Sequence, residues 1–188
     1  MIVPQSRSAT LFAVAIVLTL LSNACDRRTV VGPGPLPSNI RPPTFDYQKT
    51  DGCGRFTVYR TNADQSEAFI VHADLDALAK DQLDRDLDLA VHLKTITVTV
   101  DMFPRPQKHL HLCTDFTHPD SDPPTTWTAF RGKVRIERFA PEKKKEVGPS
   151  TFRVKVTVTD AEFRSPEGHE GKCPHPIVLD AVVGWFAG

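Results

Sequence analysis

The chain has 188 residues, 40% hydrophobic and 24% charged, with Lys+Arg and Asp+Glu balanced at 23 each. That length suffices for one domain with a sizeable core and is short for two. The balanced charge supplies no overall field that would draw the molecule to nucleic acid or to a membrane surface.

Residues 1–24 read MIVPQSRSATLFAVAIVLTLLSNA. Arg7 provides a positive charge, an apolar run follows over residues 11–21, and small residues come after it. This is the plan of a secretory signal peptide, expected to be removed on export. The run is about eleven residues, whereas a helix needs about 20 to span a bilayer core. Export also disfavours nucleic acid as a partner.

Leu21, Ser22, Asn23, Ala24 and Cys25 together resemble the lipobox of bacterial lipoproteins. In that family the cysteine is lipidated and becomes the first mature residue. Ala24 and Cys25 fit the pattern. Ser22 departs from it, because leucine usually stands three places before the cysteine and Leu21 stands four before. The resemblance implies a lipid anchor at Cys25 and a chain facing the periplasm or the cell surface. Ordinary cleavage after Ala24 is the alternative, since Ser22 and Ala24 are small.

Cys25 opens a linker that runs to Pro43. Its sequence after the cysteine, DRRTVVGPGPLPSNIRPP, holds five prolines and two glycines and has no periodicity. Proline removes backbone donors and fixes φ, so the segment builds neither sheet nor packed helix. An extended proline-rich spacer covers about 3 Å per residue, which makes a tether of up to roughly 50 Å.

Residues 44–188 form the mature domain, about 145 residues, an ordinary size. The alternation of Ile96, Val98, Val100 and Met102 with Thr95, Thr97, Thr99 and Asp101 predicts a strand with one wet face. Phe152, Val154, Val156 and Val158 alternate with charged and threonine neighbours in the same way. Leu87, Leu89, Val91 and Leu93 alternate too, so residues 86–93 read as a strand. Its apolar parity breaks before Ile96, which places a turn or bulge near Lys94. Further strands are expected over 55–60, 68–73, 108–113, 127–139 and 177–186. The run from Trp127 is either two strands or one bent at Gly132. Residues 140–150 (APEKKKEVGPS) make the polar turn of a long hairpin. Leu75, Leu78, Ala79 and Leu83 fall on one helical face that Asp74 can cap, which predicts one short helix. About eight antiparallel strands and at most one short helix point to an all-β fold, a sandwich in preference to a barrel.

The chain has four cysteines and seven histidines. In an oxidising compartment nearby thiols pair. If Cys25 is lipidated, Cys53, Cys113 and Cys173 remain and one thiol is left over; if it is not, four cysteines allow three connectivities. Cys53 and Cys113 both sit at strand ends, where two backbones can meet, so they are the expected pair.

On a strand, His109, His111 and Cys113 share a face, and Cys173 and His175 form a second small cluster. Imidazoles with a thiolate suit zinc or copper, so a periplasmic metal-binding protein using His109, His111, Cys173 and His175 is the alternative function. Residues 113–118 also resemble the cysteine–histidine loop of blue-copper proteins, although no methionine follows. Against a metal stand the lack of any dedicated ligand spacing and the prior claim of a disulfide on Cys113. The other reading is a solvated strand face with Leu110 and Leu112 turned to the core.

Residues 84–88 mimic the opening of a calcium loop, but Leu89 stands where the turn glycine belongs and Thr95 where the closing glutamate belongs. Residues 131–155 carry nine Lys/Arg against three Glu, and residues 64–122 carry five Lys/Arg against twelve Asp/Glu. Lys143, Lys144 and Lys145 mark a hairpin tip that could meet anionic headgroups or an acidic partner. No nucleophile elbow, P-loop, dinucleotide fingerprint or zinc-protease helix is present, so no catalytic residue and no cofactor is assigned. The expected role is a binding or structural module of the cell envelope, with an envelope protein as partner.

Overall fold

The structure is a computed structural model; it describes residues 41–79, 82–107, 110, 112–113, 123–139 and 151–184. All of these fall in the second of two units of the chain, Pro35–Gly188. The fold is all-β and antiparallel. The described residues form nine strands and one short helix: β1 Lys49–Cys53, β2 Thr57–Thr61, β3 Glu67–Ala73, β4 Asp86–Asp88, α1 Leu89–His92, β5 Ile96–Met102, β6 Thr125–Phe139, β7 Phe152–Arg164, β8 Glu170–Lys172 and β9 Ile177–Val183. None of their helices is long and apolar enough to cross a membrane.

The strands lie in one continuous sheet in the order β1-β2-β3-β5-β6-β7-β8, with β4 paired to β6 and β9 paired to β7. The long β6–β7 hairpin turns this ribbon into a sandwich-like body. The first part of β6 pairs with β5, and its last part with β4. The pairing of β6 with β7 shifts register between Ala129 and Arg131 and shifts again between Arg131 and Lys133. The two irregularities offset one another, so the ladder resumes in its first register after a bend.

Gly132 sits at that bend with φ 129, and a Cβ there would lie 2.8 Å from Ala161 Cα. Only glycine accepts both the torsion and the approach. The inward parity of β6 changes across it, from Trp127 and Ala129 to Val134 and Ile136. β6 is therefore one strand bent at Gly132.

The bend brings the sheet round until β9 reaches β1. Gly184 N donates to Gly54 O at 2.8 Å, and a Cβ on Gly52 would meet Val183 Cγ1 at 2.9 Å. The enclosed core is the set of inward positions foreseen from alternation: Ile96, Val98 and Val100 of β5 and Val154, Val156 and Val158 of β7 are buried. Phe56, Phe69, Trp127 and Phe163 supply its bulk. At about 25 cal/mol per Å² of apolar surface removed from water, such side chains are the main source of stability.

Three local expectations are corrected. The alternation over residues 86–93 holds only as far as Leu89. Asp88 stops β4 after three residues by accepting Ala90 N at 2.9 Å and capping α1. Val91 and Leu93 then face solvent, 76% and 48% exposed. Thr95 closes the turn through two hydrogen bonds to His92 O, which puts the parity break near Lys94 as expected.

The helix expected from Asp74 is not formed among the described residues. Asp74 does cap, its Oδ1 accepting Asp76 N and Ala77 N. The chain then makes separate turns and reaches the left-handed region at Asp84, φ 65. Leu78 is buried and Leu75 and Leu83 pack against the core, so the apolar stripe is used without a helix beneath it.

In the segment expected as a strand over 108–113, the described Leu112 and Cys113 lie in a turn. Leu110 N donates to the Gln65 side chain at 3.1 Å and joins no ladder. Leu110 and Leu112 are only half-buried.

Candidate functional site

The expected disulfide is present. Cys53 ends β1, and its sulfur is bonded to Cys113 with the Cα atoms 5.6 Å apart. Cys113 also faces Tyr59 Oη at 3.8 Å, so the bond sets Cys113 beside both β1 and β2. Cys173 is a buried free thiol whose Sγ donates to His175 O at 3.0 Å, and burial pushes it up from the ordinary thiol range. His175 itself is exposed. Cys25, His109, His111, His118 and Lys143 to Lys145 lie outside the described residues. Among the described residues no group of three or more His, Cys, Asp or Glu is placed to hold a metal ion.

Several of the described acidic residues serve the fold. Asp74 and Asp88 cap turns, and Asp86 receives Arg135 Nε at 2.8 Å across β4 and β6. Arg153 grips Asp180 through two 2.7 Å bonds, which hold that carboxyl below the usual carboxylate range. At the Asp86–Arg135 pair the acidic and basic stretches of the sequence meet across β4 and β6, where opposite charges belong.

Sequence reasoning missed a heavily bonded polar group among the described residues. Glu67, at the start of β3, is 0% exposed. Its carboxylate accepts Thr44 N at 3.0 and 3.1 Å, Thr44 Oγ1 at 2.9 Å, Phe45 N at 3.2 Å and Tyr47 Oη at 2.6 Å. It therefore clamps a strap, residues 44–47, over one end of the core. Phe45 adopts φ 57, a costly conformation for a bulky residue. It is held there by the Glu67 bond and by packing on Phe163, ring centroids 5.5 Å apart.

Burial and the Glu67 carboxylate push the Tyr47 phenol far above its ordinary value. Burial and Asp51 raise Tyr59 to about 12. A raised phenol stabilises the fold fully below the unfolded pKa of about 10 and loses that contribution as pH climbs through the folded value. The chain has two tyrosines, so ultraviolet absorbance titration reads these alone. The expected result is no more than about a tenth of one phenol ionised in the folded protein at pH 11, against half-titration near pH 10 in denaturant. A folded-state midpoint near 10 for either phenol would contradict the geometry.

Two clefts flank the core. One, of about 520 Å³, lies beside the strap between Arg41, Asp64, Ser66, Phe103 and several prolines. Its cation is committed, since Arg41 Nη2 donates to Ser66 Oγ at 3.3 Å. The other, of about 560 Å³, opens at the far end, where β3 leaves the sheet and β6 meets β7. Ala73, Leu75, Leu78, Leu83 and Phe152 make its apolar floor, and Arg55, His72, Asp74, Asp76 and Arg138 its rim.

On that rim Arg55 pairs with Asp76 at 3.3 Å. His72 Nδ1 lies 3.1 Å from Thr57 Oγ1. Arg138 instead stacks over the Phe152 ring, its guanidinium carbon 4.0 Å from the centroid. A half-apolar concavity with few convergent polar groups is the usual form of a small-molecule site, which makes this the candidate binding site. No family model, curated protein or solved structure matches the chain.

Proposed function

We propose that the chain is an exported, lipid-anchored β-sandwich that serves the bacterial cell envelope as a binding or structural module. Acyl chains on Cys25 hold it to the membrane, and the domain faces the periplasm or the cell surface. The observation that carries this reading is the Cys53–Cys113 disulfide, a bond that persists in oxidising compartments. It occurs in a chain whose first residues have the plan of an export signal. The strap adds support: Glu67 fixes residues 44–47 immediately after the proline-rich linker, so a stalk would join the domain at a fixed point.

Intact mass of the protein purified from its host, with and without alkylation in denaturant, tests the reading. The expected product begins at Cys25, carries acyl mass and exposes one alkylatable thiol, that of Cys173. A chain that keeps Met1 and has all four thiols free would overturn it. A chain beginning at Cys25 without acyl mass would retain export and remove the anchor.

A further inference from the structure

We propose that the cleft at the strap-distal end takes a small amphiphilic monoanion, an acyl chain of a few carbons ending in a carboxylate. The inference rests on the reading of the domain as a binding module but not on its export.

The floor supplies the apolar half. Leu75, Leu83 and Phe152 pack against the core yet remain half-exposed, so an alkyl chain laid on them would cover surface that the fold leaves wet. Each methylene buried there should tighten binding about fourfold. The volume of about 560 Å³ is ample for such a chain.

The rim selects the charge. Arg55 is answered by Asp76, and the Asp74 carboxylate accepts two backbone N–H groups. Among the described residues Arg138 has no carboxylate partner. Its flat face rests on Phe152, which steadies the guanidinium and leaves its N–H edge for a planar two-oxygen acceptor. One uncommitted cation beside two aspartates favours one negative charge and disfavours two.

Calorimetric titration of the full chain carrying Cys25→Ser, which removes the acylation position, tests this with octanoate, octanol and octyl phosphate. Octanoate is expected to bind about tenfold more tightly than octanol, and octyl phosphate no more tightly than octanoate. Arg138→Gln, at an exposed position that leaves the core intact, should bring octanoate to within about twofold of octanol measured on the same variant. Amide resonances of Leu75, Leu83 and Phe152 should shift with octanoate. Equal binding of octanoate and octanol, an unaltered ratio in Arg138→Gln, tighter binding of octyl phosphate, or shifts confined to other residues would each overturn the inference. Failure here leaves the envelope reading to the intact-mass result, because a correctly anchored protein can be indifferent to octanoate.

Discussion

Replacing Cys53 and Cys113 together by serine is expected to lower the unfolding free energy by about 4 kcal/mol. The bond closes a loop with a sequence separation of 60, and an open loop of that length restores a large conformational entropy to the unfolded chain. The native side of the balance changes little. Cys113 is exposed and Cys53 half-buried, so two hydroxyls there remain hydrated. Urea unfolding of the double variant and the parent should show a lower midpoint. The denaturant slope should rise, because an uncrosslinked unfolded state exposes more surface. A loss below about 1 kcal/mol would mean that the segment ending at Cys113 is already fixed against Tyr59 without the bond.

The second large effect is expected at Glu67. Glu67→Gln keeps the shape of the side chain and replaces an acceptor oxygen by an NH₂ donor. Both oxygens of the native carboxylate receive N–H or O–H donors, so in either amide orientation one donor faces another. A buried donor left without an acceptor, together with the lost charge-assisted bonds, should cost about 3 kcal/mol. For a domain of this size that is a fall in Tm of about 10 °C. The loss should be concentrated in the strap, with faster hydrogen exchange at Thr44 and Phe45 than at β5. A change under about 1 kcal/mol would show that the strap is held by its packing on the core and not by the Glu67 bonds. Tyr47→Phe removes only the 2.6 Å bond and separates its share from the rest.

The candidate cleft was scarcely legible beforehand. Its floor was in view, since Leu75, Leu78 and Leu83 read as one apolar stripe and Phe152 as an inward strand residue. Its rim was not. Arg138 stands in a run of basic residues in which nothing marks it apart, and its distinction comes from the Phe152 ring that the β6–β7 register carries to it. Cys113, which shares a face with His109 and His111 on an extended strand, is bonded to Cys53 and lies in a turn.

The chain's own residue order determined the elements that rest on local alternation: β5, the first part of β7, and the buried faces of both. It also marked Gly132 as a break, either a bend or the gap between two strands, and Cys53 and Cys113 as the expected pair. Those features depend on neighbours in sequence, on backbone torsions, or on chemistry that few residues can perform. The tertiary structure alone decided the rest. β1 and β8 have the unpromising sequences KTDGC and EGK, and they are strands because a neighbouring ladder supplies their hydrogen bonds. The pattern over residues 86–93 suits strand and helical turn alike, and the cap at Asp88 chose between them. Glu67 looks like any surface carboxylate until the strap folds over it, because the donors that make its burial tolerable lie twenty or more residues away.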